Sequence, residues 1–453
     1  EGTIYTFTLR PDATFHDGTP VTAEDVVFTV TLAQNPDIKS PRRADWDGVS
    51  VQAEGDRTVT FTLPQEYAPF LENAQLGILP KKLWEGVSAS EFPFFALNTS
   101  PIGTGPFLLE KATNDATGLP RMYELAPFEN FALGTPHLGS ITFRFYGTQE
   151  QLLAAYAEEE IDSMSGLAGS EVPEGADAIG IESTRIFGIF FNQNKAPIFT
   201  DKAVRQALSQ SIDRNAVIES VLSGYGTPLT NPLPPGLLPI EEEPMSTSTT
   251  PLAQARETLE DGGWKFDDGS LSWSKGGQKL TINLATADTP ELHATAEAVA
   301  EEWRSLGAEV NVQVYPLSEF SAQVLRPRNY DAVLFGEVIG RTLDLFAFWH
   351  SSQRNDPGLN LALYTNTNAD RLLASARAEI SARERETLYR EFVEIITEDA
   401  PAIFLYAPKF VYVYPSAVAG LTFPTLTTPA ERFLQAHAWY TDTESVWSIF
   451  THY

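Results

Sequence analysis

The stretch Tyr5–Phe28, YTFTLRPDATFHDGTPVTAEDVVF, combines a strand, a turn and a helix in one short segment. Apolar and polar residues alternate over Tyr5–Leu9, which is typical of a strand with one buried face. The DGTP sequence at 17–20 predicts a turn. Thr22, followed by Asp25 at the third helical position, predicts a capping box, and apolar residues recur behind it at helical spacing. The segment therefore predicts a strand, a turn and a capped helix in a fixed register.

Along the rest of the chain, the pattern of predicted elements changes once. The first part, to about Tyr146, is rich in short strands and loops, as in the hairpin predicted for Val49–Leu63. Further on, Ile186–Phe191 is a continuous apolar run, typical of a strand buried on both faces. Thr200 is then predicted to cap a helix, and residues 280–314 predict a strand–helix–strand unit. The sequence thus predicts an α/β protein with a β-rich first part.

Composition narrows the class of protein. The chain has 453 residues, a net charge of -29 from 60 acidic and 31 basic residues, and no cysteine. Its length predicts two to three domains. The negative charge disfavours nucleic acid and anionic membranes as partners. Without cysteine the chain has no disulfide, thiolate metal site or cysteine nucleophile. No apolar stretch approaches the roughly 20 residues that span a bilayer.

Motifs for catalysis are missing from the sequence. No two of the six histidines lie at metal-ligand spacing, and no nucleophile elbow, Walker loop or dinucleotide fingerprint occurs. Adjacent acids such as Glu158-Glu159-Glu160 indicate a solvated face rather than a calcium or acid–base site. A carboxylate pair that forms only in space stays open. We therefore expect a protein that is not an enzyme and that needs neither a cofactor nor a metal.

Several motifs, in order along the chain, resemble one family. Besides Tyr5–Phe28 they are PIGTGPF at 101–107, Phe191-Asn192 with PIFTDKAVRQALSQSIDR at 197–214, and the later stretches 330–348 and 360–370. Together they are similar to the peptide/nickel-type extracytoplasmic solute-binding proteins, family five, of ABC importers. The resemblance covers essentially the whole chain.

The resemblance implies a fold and its organisation. It implies an α/β, two-lobed periplasmic-binding-protein-like fold of type II, with an extra subdomain and with the N-terminal part of lobe one missing. Lobe one with its β-rich subdomain is expected over 1–187, lobe two over 188–402, and a return to lobe one over 403–453. The strand ending at Asn192 and the region near Pro401–Tyr412 would cross between the lobes, which close over the ligand by a hinge motion.

The resemblance also implies a site, with one departure. Peptide binders carry a tryptophan and then an acid that pairs with the ligand's α-ammonium. Alignment on Asp344 puts Arg341 at the position of that acid, Glu337 near the tryptophan, and Leu345 at a proline. Either Arg341 holds an anionic or carbonyl-rich group, or Glu337 takes the ammonium; alternatively Arg341 pairs with Asp344 or Glu337 within the lobe. The residues expected at the ligand are Asn192, Phe335, Glu337, Val338, Arg341, Asp344 and Trp349.

Ligand, partners and location follow from the same resemblance. An oligopeptide is expected by its frequency in the family, with an oligosaccharide or a metal chelate as alternatives. The expected partners are the membrane subunits of an ABC permease, and the protein is expected to be a monomer. It would work in the periplasm or as a cell-surface lipoprotein. A sensor of the same fold, or a hydrolase, would be the competing function.

Overall fold

The computed structural model of the chain describes residues 2–238 and 251–441. Residues 239–250 of the predicted second lobe and residues 442–453 of the predicted return segment lie outside the described residues. The first elements, in chain order, are β1 (Ile4–Thr8), α1 (Ala23–Gln34), β2 (Ser50–Glu54), β3 (Thr58–Thr62), α2 (Phe70–Asn73), α3 (Lys81–Trp84), β4 (Phe107–Asn114), β5 (Pro120–Pro127), β6 (Ile141–Arg144), α4 (Gln149–Ala157), β7 (Met164–Ser165), β8 (Ala178–Ile181) and β9 (Arg185–Phe191).

The remaining elements follow β9 in the chain. They are α5 (Lys202–Gln210), α6 (Arg214–Leu222), β10 (Gly226–Pro228), α7 (Pro251–Asp261), β11 (Lys265–Asp267), β12 (Ser272–Lys275), β13 (Gln278–Lys279), β14 (Thr281–Ala287), α8 (Pro290–Leu306), β15 (Glu309–Tyr315), α9 (Leu317–Phe320), β16 (Ala332–Val338), α10 (Phe346–Trp349), α11 (Thr367–Ala378), α12 (Ala382–Asp399), β17 (Ala402–Pro408) and β18 (Phe410–Val413).

The N-terminal strand, turn and capped helix are confirmed. β1 pairs with β3, and β2 with β3, in an antiparallel sheet against which α1 packs. At the start of α1, Asp25 accepts a hydrogen bond from the Thr22 N–H at 2.8 Å, while the Thr22 hydroxyl accepts one from Asp25 at 3.4 Å. The same carboxylate also accepts from the Lys81 N–H at 2.7 Å. The capping box therefore fixes α1 and also holds the start of α3.

His16 joins two of the sequence motifs. The Gly103 N–H lies 3.3 Å from His16 Nδ1, the ring Nε2 lies 3.0 Å from the Gly105 carbonyl oxygen, and the His16 N–H donates to the Gly103 carbonyl at 2.8 Å. The ring also packs edge-on against Phe128. The HDGTP turn and the GTGP loop, far apart in sequence, are thus held together by one histidine.

Lobe two is built on a six-stranded sheet with the order β10-β17-β9-β16-β14-β15. The predicted strand–helix–strand unit is confirmed as β14, α8 and β15, and β14 runs parallel to both β15 and β16. β9 lies in the middle, antiparallel to β16 and β17, with all residues from Ile186 to Phe191 buried. Buried side chains from this sheet and its flanking helices form the largest core cluster.

Two strands carry the chain between the lobes. β8 leads into β9 through residues 182–184, and β17 leads into β18 across Lys409. β8 and β18 pair in a small lobe-one sheet, while β9 and β17 pair in the large sheet. If the lobes are divided by sheet membership, the division falls at these two connections. The predicted boundary at 187/188 instead falls within β9, and the one at 402/403 falls at the start of β17. The division stays a proposal.

The third motif contributes buried arginines and a cap. Arg205 donates to the carbonyl oxygens of Phe199, Asp399 and Ala400 at 2.7, 2.6 and 2.9 Å, which fixes α5 against the end of α12. The predicted cap of α5 is wrong by one residue. Asp201, not Thr200, accepts from the Ala203 N–H, because the Thr200 hydroxyl is used by the Pro197 carbonyl.

We predict that His16→Ala lowers the free energy of unfolding by about 1–2 kcal/mol, because it removes two side-chain hydrogen bonds to the GTGP loop, at Gly103 and Gly105, in a partly buried position. Urea unfolding monitored by fluorescence measures the change. His293→Ala is the matched control, since His293 is exposed on α8. Equal stability of the two variants would show that His16 does not hold the motifs together.

Candidate ligand-binding site

The site lies where three parallel strands of lobe two end. β9 begins at the connection from lobe one, and β16 runs antiparallel to it, so β16 ends on the side that faces lobe one. β14 and β15 run parallel to β16 and end on the same side. In open α/β sheets, ligands bind in the crevice at the carboxyl ends of the strands. Phe335, Glu337 and Val338 lie on the end of β16, and Arg341 and Asp344 lie in the loop that follows it.

The last part of β16 has a free edge. β14 pairs with β16 only at Ala332 and Val333, while β9 covers the other edge along the whole strand. The Thr286 hydroxyl of β14 still donates to the Leu334 carbonyl oxygen at 3.4 Å, but within the described residues no strand pairs with residues 335–338 on the β14 side. A free strand edge can accept an extended peptide through main-chain hydrogen bonds.

A cavity of about 490 Å³ adjoins this edge. Its volume falls within the range of small-molecule sites. Its walls come from α9 and the π-helical turn after it, from the end of β16, and from the 356–361 segment. Most of the lining side chains are apolar, including Phe320, Phe335 and Phe348. Every wall of the cavity belongs to lobe two.

Glu337 lines this cavity and is buried. Its exposed fraction is 4%, and neither carboxylate oxygen has a hydrogen-bond partner in the described structure. Burial raises the pKa of the Glu337 carboxyl well above its usual range. An ionised carboxylate in such a place costs several kcal/mol unless a cation or donor reaches it. Glu337 is thus the least satisfied charged group among the predicted site residues.

Arg341 joins the two lobes. Its Nη2 lies 2.7 Å from the Glu431 carboxylate and 2.9 Å from the Thr425 carbonyl oxygen. The segment around Glu431 packs on lobe one, where Phe433 contacts Phe143 of β6. The pairing of Arg341 with Asp344 or Glu337 within its own lobe is therefore wrong, because the guanidinium is directed toward the C-terminal segment instead.

Asp344 makes a second junction between the lobes. It accepts hydrogen bonds from Arg377 Nε at 2.9 Å and from Arg377 Nη2 at 2.6 Å. The Tyr67 hydroxyl, from the N-terminal part, donates to the same carboxylate at 3.4 Å, and the Arg377 carbonyl accepts from the Ala68 N–H at 2.8 Å. The loop after β16 is thus held to lobe one at both of its ends.

Two of the predicted site residues, Asn192 and Trp349, lie apart from the end of β16 and the loop that follows it. Asn192 follows the far end of β9, about 20 Å along the strand from the edge that faces lobe one; it accepts from the N–H groups of Asn194 and Lys195 and donates to the Arg328 carbonyl. Trp349 is fully buried and packs against Phe190 and Phe404. The contacts of both residues are those of the core.

The sequence missed other residues that shape the site. Tyr67, Arg377 and Glu431 lie in segments that no quoted motif includes, and they reach the loop only through the folded arrangement. No sequence pattern pointed to Leu317 or Leu359 either. Both are exposed apolar residues at the mouth of the cavity.

Two further properties concern the described residues, 2–238 and 251–441. Among them, no cluster of three or more histidine, aspartate or glutamate side chains could hold a metal ion. In the same ranges no helix has the length and apolar character needed to cross a membrane.

Two α/β lobes joined by a pair of crossing strands, with a cavity and a free strand edge at the end of β16, define a two-lobed solute-binding protein of type II. Residues 1–359 match the bacterial extracellular solute-binding proteins, family 5, middle region. The chain belongs to this family, as the resemblance implied.

Two named proteins and one solved structure are similar to this chain over most of its length. The oligopeptide-binding protein AppA of Bacillus subtilis (strain 168) is 27% identical over 438 residues, which cover 92% of this chain and 78% of AppA. Protein XP55 of Streptomyces lividans is 29% identical over 448 residues, covering 93% and 76% of the two chains. The solved structure of AppA from Bacillus subtilis in complex with a nonapeptide matches with a TM-score of 0.67 and 25% identity over 98% of this chain and 88% of the other.

We predict that Arg341→Ala and Glu431→Gln each weaken the contact between the lobes, and that the double variant adds little to Arg341→Ala. Both remove the same ion pair, and Arg341→Ala also removes the hydrogen bond to the Thr425 carbonyl. For a partly exposed pair the loss is on the order of 1 kcal/mol. Small-angle X-ray scattering of the ligand-free protein measures the resulting separation of the lobes as a larger radius of gyration. If only Arg341→Ala changes the scattering, Arg341 does not act through Glu431.

We predict that Glu337→Gln is as stable as the parent protein near pH 4 and more stable at pH 8. A folded-state pKa above the unfolded value contributes stability below the unfolded pKa, and this contribution is lost as the pH rises through the folded pKa. Glutamine keeps the shape of the protonated acid without titrating. Urea unfolding at both pH values is the measurement, with the exposed Glu319→Gln as control. A parallel pH dependence of parent and Glu337→Gln would contradict the burial of this carboxyl.

Proposed function

We propose that this protein captures an oligopeptide between its lobes and delivers it to the membrane subunits of an ABC importer. The observation that carries the proposal is the free edge at the end of β16 beside a cavity whose walls belong to lobe two. An extended peptide can pair with such an edge through its main chain, while a roomy cavity accepts a side chain. The relative named as an oligopeptide-binding protein, and its structure with a nonapeptide, support the peptide as ligand.

The loop after β16 bears on how a peptide would be received. An unprotected peptide N-terminus beside Arg341 was expected to meet a cation. The ion pair with Glu431 neutralises that guanidinium, so the expected repulsion is reduced. Arg341 then contributes to closing the lobes rather than to selecting the charge of the ligand. This arrangement favours a peptide over a ligand whose anion Arg341 would hold.

Members of this family are extracytoplasmic binding proteins and not enzymes. For this chain we propose binding without turnover, action as a monomer in the periplasm or as a cell-surface lipoprotein, and no nucleic-acid partner. The net charge of -29 supports the last point, because it repels a phosphate backbone.

Closure by a hinge accompanies capture in this proposal. Within residues 2–238 and 251–441, the chain passes between the lobes at two connections, residues 182–184 and Lys409. Polar contacts across the lobes flank the loop after β16 on both sides. These contacts form when the lobes meet, so a ligand that also bridges the lobes adds to the same closed state.

We predict that the purified protein retains peptides from a mixture of three to nine residues, detected by native mass spectrometry after desalting. N-methylation at alternate backbone nitrogens of a retained peptide should weaken binding, because those N–H groups pair with β16, while methylation at the intervening nitrogens should have little effect. Retention of a saccharide or metal chelate with no peptide would overturn the assignment of ligand. Shortened peptides after incubation would show a hydrolase instead.

A further inference from the structure

The cavity beside β16 has an apolar mouth and is also lined by Glu337, whose carboxylate oxygens are covered in this structure. Three apolar side chains at its opening are left exposed: Leu317 at 58%, Val338 at 51% and Leu359 at 47%. Exposed apolar side chains gathered at one opening mark a place where an apolar group of a ligand is buried. Glu337 lies deeper and is 4% exposed.

The carboxylate of Glu337 has no partner from the protein. Neither of its oxygens accepts a hydrogen bond from any described residue. On the strand beside it, Ile186 is the residue in register, so β9 offers no donor side chain at this position. A buried acceptor without a donor is rare in folded proteins, and it calls for a group that the protein itself does not supply.

The cations in the cavity wall are used elsewhere. Arg328 donates to the carbonyl oxygens of Leu325, Arg354 and Gly358 at 2.7, 3.1 and 2.6 Å. Arg326 is exposed and lies 4.0 Å from Asp356. The arginines that line the cavity therefore stabilise its walls and leave the Glu337 carboxylate to a ligand.

We infer that this cavity binds a basic group, an amine or guanidinium cation carried on an apolar stem, with the carboxylate of Glu337 as its hydrogen-bond acceptor. The apolar mouth covers the stem, and Glu337 pairs with the cation. In the empty protein burial favours the protonated acid; when the cation binds, the carboxyl proton passes to solvent and the carboxylate accepts the N–H groups. The inference deepens the proposed function and rests on it where the basic group belongs to a peptide.

Two sources could supply such a group, a basic side chain or the α-ammonium of a peptide. Peptide mixtures that differ at one position separate them. One mixture carries lysine, and the other carries norleucine, which keeps the apolar stem without the ammonium; each is prepared with a free and with an acetylated N-terminus. Affinities are measured by isothermal titration for the parent protein, Glu337→Gln and the exposed control Glu319→Gln.

We expect the parent protein to prefer lysine over norleucine by about tenfold or more, because a charged hydrogen bond is lost with the ammonium. Glu337→Gln should reduce this preference to near unity, while Glu319→Gln should retain it. If instead acetylation of the N-terminus removes the Glu337-dependent binding and lysine has no effect, Glu337 is the anchor of the peptide's α-ammonium, and the assignment of a pocket for a basic side chain is overturned. Equal affinity of Glu337→Gln and parent for all four mixtures would overturn it.

A probe that is not a peptide keeps this inference separate from the proposed function. Hexylamine should raise the thermal midpoint of the parent protein, whereas hexanol, of the same stem, should not; Glu337→Gln should lose the response to the amine. If no peptide binds but hexylamine stabilises through Glu337, the proposed ligand is wrong and the basic pocket stands. If peptides bind but neither lysine nor hexylamine depends on Glu337, the proposed function stands and the pocket is overturned.

Discussion

The pairing of β9 with β17 is the constraint on which the rest of the structure depends. Both strands belong to the large sheet of lobe two. β8 precedes β9 and β18 follows β17, and these two strands pair in the small sheet of lobe one, so the chain passes between the lobes twice, side by side. Their close approach requires a glycine: a Cβ at Gly188 would lie 2.9 Å from the Ile403 carbonyl oxygen. β17 also shifts register between Phe404 and Tyr406, which bends the strand near the crossing.

The direction of β9 decides where a ligand can bind. Because β9 starts at the crossing, its antiparallel neighbour β16 must end there, and the strands parallel to β16 end there as well. The loop after β16 is therefore brought against lobe one, and its two charged residues find partners across the gap in Glu431 and Tyr67. A change in the angle between the lobes would alter both contacts at once. We propose that closure and ligand binding are coupled through this one short loop.

Local sequence patterns predicted much of this fold. The capping box of α1, the doubly buried β9 and the unit of β14, α8 and β15 each depend on neighbouring residues, so periodicity and cap chemistry were sufficient. The site was predicted only in part, since β16 and its loop are one segment but their partners are not. Residues such as Arg377 and Glu431 approach the loop from helices and turns far along the chain, and no local pattern shows which charges will meet in space. Asn192 illustrates the opposite error, because a motif residue at the end of β9 fixes a turn at the far edge of the sheet.

Glu337 lies where stability and binding place opposite demands on one side chain. An apolar residue would suit this buried position in the empty protein better, since the acid has no donor and loses its hydration. The free-energy cost of burying this acid is smallest when the acid carries its proton, and the cost is offset when a cation enters the cavity. The surface charge of -29 raises the local concentration of cations around the whole molecule without choosing a place for them. Selection must then come from a single acid that only a group with an apolar stem can reach, and the exposed leucines at the mouth of the cavity provide that condition.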